Sequence, residues 1–82
     1  MNDSITLRPV VRETMQLAPA RKWTVKALHA QIRAEFPQST ENNVAAALLW
    51  NQGKGYVDYT VNDETAQELW GLTEKGKELA DS

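Results

Sequence analysis

Eighty-two residues, 41% of them hydrophobic and 24% charged, describe a single small globular domain. The absence of cysteine excludes a disulfide framework, a thiolate metal site and a thiol nucleophile, and no run approaches the roughly 18 apolar residues of a membrane span. The net charge of −2 is unevenly spread: six basic side chains stand against three acidic ones through Thr40, and three against eight from Glu41 onward, which confines any basic footprint to the first half.

The amino terminus, MNDSITLRP, lacks the basic and apolar regions of a signal peptide and points to a soluble, cytoplasmic protein; residues 1–4 are expected to fray. A first helix is predicted from near Leu7, capped by Thr6 or Ser4, with Pro9 in the first turn, where a missing N–H costs little. Val10, Val11, Thr14, Leu17 and Ala18 form its apolar face, with Met15 beside them. Arg8, Arg12, Glu13 and Gln16 fall largely on the other side. Ala18-Pro19-Ala20 ends the helix, because proline disfavours helical geometry in the residue before it. Arg21-Lys22-Trp23 reads as a short extended link or a small first strand.

Thr24 caps a second helix, Val25 to about Phe36, in which Val25, Leu28, Ile32 and Phe36 recur at helical spacing with Ala27 beside them. Lys26, Gln31, Arg33 and Glu35 point mostly outward. Pro37 closes this helix, and the short Pro37-Gln38 turn sets the next one at a steep angle. Ser39 and Thr40 are both competent caps for an alanine-rich third helix that reaches about Gln52. Two stripes fit its buried face: Val44, Ala47, Leu48 and Asn51, or Val44, Ala45, Leu48 and Leu49. Trp50 lies off the centre of both. After Gly53-Lys54-Gly55, Tyr56 to Val61 alternates like a strand. Asn62 to Gln67 is a polar turn, and Glu68 to Leu72 returns as a second strand. Thr73 then caps a short helix, Glu74 to Ala80, with Leu79 as its main apolar contact.

Catalytic machinery does not assemble from these residues. His29 is the sole histidine, so it reads as a half-buried structural residue and a two-histidine metal site within one chain is excluded. Gly53-Lys54-Gly55 is too short for a phosphate-cradling loop, and Asp63-Glu64 lacks the spacing of a calcium loop. The expectation is a non-enzyme without cofactor or metal.

Leu72-Thr73-Glu74-Lys75-Gly76, preceded by Trp70 in a strand, resembles the strand-to-helix exit of bacterial and phage winged-helix proteins. Val44, Leu48, Gly55, Tyr56 and Val57 resemble the end of the recognition helix and the first wing strand of the same superfamily. The resemblance covers about residues 7–80. It implies an α+β winged helix-turn-helix: three helices, a two- to three-stranded antiparallel wing and a short C-terminal helix.

It further implies that Ser39 to Gln52 is the recognition helix and that Asn62 to Gln67 is the wing tip. Carried over position by position, Gln38, Thr40, Asn42, Asn43 and Ala46 become the base-facing candidates. Asn and Gln can pair bidentately with adenine, and alanine can meet a thymine methyl. Ser39 and the helix amino terminus would hold a phosphate, with Arg21, Lys22, Lys26 and Lys54 as phosphate clamps. The plainer reading of Asn42 and Asn43 is helix capping and ordinary solvation.

Two features run against DNA. No Arg or Lys occurs from Ser39 through Gln52, where Glu41 adds a negative charge, and the wing tip carries Asp63 and Glu64 with Glu68 just after. Few basic contacts predict weak binding by one copy, which a homodimer on one site would offset. The expectation is therefore a small regulator that binds duplex DNA. The alternative is a winged-helix module that binds a protein partner through Trp50 and the acidic wing, without DNA. The start at Met1 favours a whole protein over an excised domain.

Overall fold

A computed structural model describes residues 3–81, with side chains from 4 to 79. The elements run α1 (Asp3–Gln16), α2 (Val25–Ile32), α3 (Glu41–Gly53), β1 (Val57–Val61), β2 (Glu68–Leu72) and α4 (Glu74–Asp81). The α+β order is the one expected, but several boundaries differ for identifiable reasons.

α1 begins a full turn ahead of Leu7. Asp3 and Ser4 are helical rather than frayed, residues 1 and 2 lie outside the described range, and Pro9 falls inside the helix instead of in its first turn. Packing decides this: Leu7, Val11 and Met15 recur every fourth residue and are 1%, 0% and 1% exposed, so the turn carrying Leu7 must already be helical. The buried stripe is therefore rotated from the expected face. Leu17 is 79% exposed, while Val10, Thr14 and Ala18 are only half-buried. Arg8, Arg12 and Gln16, expected outside, are half-buried instead, and the Gln16 amide donates to the Lys77 carbonyl at 3.2 Å.

Thr24 caps α2 as expected, accepting from the Ala27 N–H at 3.0 Å. The helix ends at Ile32 rather than Phe36. Ahead of Pro37 the chain tightens into shorter-range bonds, Ala34 N–H to Gln31 O and Glu35 N–H to Ile32 O. His29 bridges to the carbonyl of Ser39 at 2.9 Å, tying α2 to the turn that precedes α3.

α3 starts at Glu41, two residues beyond Ser39. Thr40 is the N-cap, and it forms a reciprocal capping box with Asn43 at 3.1 Å in both directions. Of the two candidate stripes, Val44, Ala47, Leu48 and Asn51 is the buried one, each residue being fully inaccessible, while Leu49 is 58% exposed.

β1 and β2 pair antiparallel from Val57↔Leu72 to Val61↔Glu68. Trp23 adds a one-residue third strand, exchanging two 2.7 Å backbone bonds with Trp70. Gly55 takes φ +80°, a left-handed geometry that glycine adopts without strain, and turns the chain from α3 into β1. Thr73 caps α4 by accepting from the Gly76 N–H at 3.1 Å. Leu79, expected as the main apolar contact of α4, is 37% exposed. The close approach is made by Gly76, where a Cβ would stand 2.0 Å from the Tyr56 carbonyl oxygen.

Candidate nucleic-acid interface

Burying Val44, Ala47, Leu48 and Asn51 leaves the opposite side of α3 to solvent. Asn42, Ala46, Leu49 and Gly53 are exposed at helical spacing. The Asn42 side chain makes no hydrogen bond among the described residues, so both its amide oxygen and its NH₂ are available. Asn43 differs. It is half-buried, and its Oδ1 accepts the Thr40 N–H, which occupies one of that oxygen's two acceptor sites and turns the amide back toward the helix start. The Thr40 hydroxyl is likewise engaged by the Asn43 N–H.

Ser39 is 9% exposed and donates its hydroxyl to the Phe36 carbonyl at 2.7 Å; its side chain faces inward from a position outside the helix. Gln38 is exposed in the turn. The sequence reading passed over Leu49 as a surface contact because the choice between the two stripes was open, and one of them buried it.

The basic candidates divide into two groups. Arg21, Lys22 and Lys26 are all exposed in the link before α2 and its first turn. The Arg21 guanidinium stacks 3.9 Å from the Trp23 ring centroid, and the Lys22 side chain lies across Gly71 of β2, its Nζ 2.7 Å from where a Cβ would stand. Lys54 is not with them. It follows the last turn of α3, its Nζ 5.5 Å from the Trp50 ring.

There a second cationic cluster forms, which the sequence reading missed. Trp50 and Tyr56 pack with ring centroids 6.3 Å apart. Arg8 lies 4.6 Å from the Trp50 centroid, and Arg12 and Lys75 lie 5.1 Å and 5.3 Å from that of Tyr56. Arg12 is fixed by Asn51, whose Oδ1 accepts from its guanidinium at 2.8 Å. Cations over ring faces are attracted by the aromatic quadrupole. Trp50, the candidate partner contact, is thus half-covered by its own chain. The cluster draws α1, the end of α3, the link into β1 and α4 together, and a local reading could not see it because its members are distant in sequence.

Among the described residues no group of three or more His, Asp or Glu side chains could hold a metal ion, and no helix is long and apolar enough to cross a membrane. No protein-family model matches the chain, and no curated protein is significantly similar to it. Among solved structures, the fold is similar to a PadR-like transcriptional regulator from Bacillus cereus, with a TM-score of 0.74 and 16% identity over 92% of this chain and 78% of that one. It is also similar to F-93 of SSV1, with a TM-score of 0.68 and 27% identity over 90% of this chain and 77% of that one. The helix-turn-helix of α2 and α3, the Trp23 bridge and the β1–β2 hairpin in this order, with these likenesses over nearly the whole chain, give it a winged helix-turn-helix fold.

Proposed function

We propose that this protein is a small cytoplasmic regulator of transcription that binds duplex DNA with α3 in the major groove. The observation that carries the reading is the exposed stripe on α3, which starts with an unengaged amide at Asn42 and continues through the small Ala46 and the apolar Leu49. Those residue types suit base edges: an amide for adenine, and apolar groups for thymine methyls. The fold likeness to a protein named as a transcriptional regulator supports it. Gln38 lies beside the start of the helix as a second candidate amide.

Arg21, Lys22 and Lys26 serve as phosphate contacts on this reading, since the first helix of a helix-turn-helix crosses the DNA backbone. Asn43 and Thr40 shape the helix start instead of reading bases, and the Ser39 hydroxyl bonds the Phe36 carbonyl instead of a phosphate. One copy with so few cations binds weakly, and two copies on one site would raise affinity without any new type of contact.

The test is fluorescence anisotropy with a duplex selected from a random pool. Asn42→Ala should lose about 1–3 kcal/mol of discrimination at one A·T pair. Asn43→Ala should lower stability by about 1 kcal/mol through the lost cap and leave the sequence preference alone. An Asn42→Ala variant with the parent's affinity and preference would overturn direct readout by this stripe.

A further inference from the structure

We infer that the cation–aromatic patch of Arg8, Arg12, Lys54 and Lys75 around Trp50 and Tyr56 is a docking surface for the acidic wing tip of a second copy of this chain. The inference deepens the two-copy part of the proposed function, and it is tested without DNA.

The patch lies away from both elements that would meet a duplex. It sits at the C-terminal end of a 13-residue helix, about 20 Å from the residues at its start. It also sits at the base of a hairpin whose strands are five residues long, about 17 Å from the tip. Its cations are not ion-paired among the described residues. Among the described residues the one ion pair within 4 Å joins Lys77 to Glu74, and none of the four patch cations has a carboxylate at that distance.

The complementary charge is present on the same molecule but out of reach. Asp63, Glu64 and Glu68 are exposed at the far end of the hairpin and have no cation within 4 Å among the described residues. One chain cannot fold its own tip back onto its own base. Two copies related by a two-fold axis can satisfy both patches at once, because each contributes one patch and one tip, as an isologous contact requires. Docked in this way, the tip carboxylates face cations instead of DNA phosphates. Exposed ion pairs are individually weak and screened by salt, so the dimer is weak and salt-sensitive.

Sedimentation velocity on the full chain tests this directly. The parent should dimerise, with a dissociation constant that rises about tenfold between low and high salt. The wing variant Asp63→Lys/Glu64→Lys and the patch variant Lys54→Glu/Lys75→Glu should each be monomeric, with parental far-UV circular dichroism; the four positions are exposed, so the fold tolerates the reversals. Mixed together, the two variants should associate one to one, because each reversed surface then meets its complement. A parent that stays monomeric at low salt, a dimer indifferent to both reversals, or a mixture that fails to associate would each overturn the inference. A monomer that still binds duplex, with a shallower salt dependence for the patch variant, would make the patch a phosphate seat. That result overturns the second-copy assignment while leaving the DNA reading intact.

Discussion

Asn51 is the residue on which the interior turns. It is fully buried, its NH₂ donates to the Ala47 and Arg8 carbonyls at 2.8 and 3.0 Å, and its oxygen accepts from Arg12. An amide in a core costs free energy unless it is satisfied, and this one is. Truncation would leave the half-buried Arg12 guanidinium without that acceptor and a small void beside Ala47. Asn51→Ala should therefore cost about 2 kcal/mol, read as a lower urea midpoint with an unchanged slope. A change within about 0.5 kcal/mol, the range of ordinary surface substitutions, would show the network to be incidental. The sequence held Asn51 in one of two stripes, with Leu49 in the other. Hydropathy favours the leucine, and the asparagine is buried because its partner lies 39 residues upstream, a distance that no local pattern encodes.

At the scale of elements, the hairpin and the exit into α4 were legible because strand-forming residues, polar turn residues and a threonine cap are local signals, although β1 is buried at Val57 alone and does not alternate as expected. The start of α1 was not. Pro9 read as a first-turn residue, and burial of Leu7 overrode that preference. Ala66 in the wing turn was not legible either, since alanine carries no turn signal. It sits at φ +58°, held by its N–H to the Asn62 carbonyl at 2.8 Å, with the Asn62 N–H reaching the Gln67 carbonyl at 2.9 Å.

A left-handed alanine costs roughly 1–2 kcal/mol, and glycine gives back roughly 0.5–1 kcal/mol in backbone entropy. Ala66→Gly should accordingly raise stability by up to about 1 kcal/mol, seen as a higher thermal midpoint. A lower midpoint would mean that the turn is not under strain. Gly76→Ala should act in the opposite sense. The added methyl meets backbone at Tyr56, which accepts the Thr73 N–H at 3.0 Å, so the helix must shift and at least about 2 kcal/mol is lost. Parental stability there would show that α4 can slide away without cost.

Over the whole molecule, charge is where the linear reading misled. Counting by halves confined a basic footprint to the first forty residues, but the fold gathers Arg8 and Arg12 with Lys54 and Lys75 into one patch and leaves Arg21, Lys22 and Lys26 as a separate group. The proposed function therefore makes a quantitative demand. If those three exposed cations supply the phosphate contacts, the plot of log affinity against log salt should have a slope of about −3 per bound copy, from about −0.9 for each neutralised phosphate. Replacing any one of the three with alanine should flatten the slope by about one contact's worth, across specific and random duplexes alike, because phosphate contacts position the protein without reading sequence. A slope near zero would remove electrostatic duplex binding altogether. A slope that survives loss of all three would move the contacts elsewhere on the surface. The overall charge of −2 sharpens this test, since a molecule with no general excess of cations has only local clusters through which to hold a polyanion.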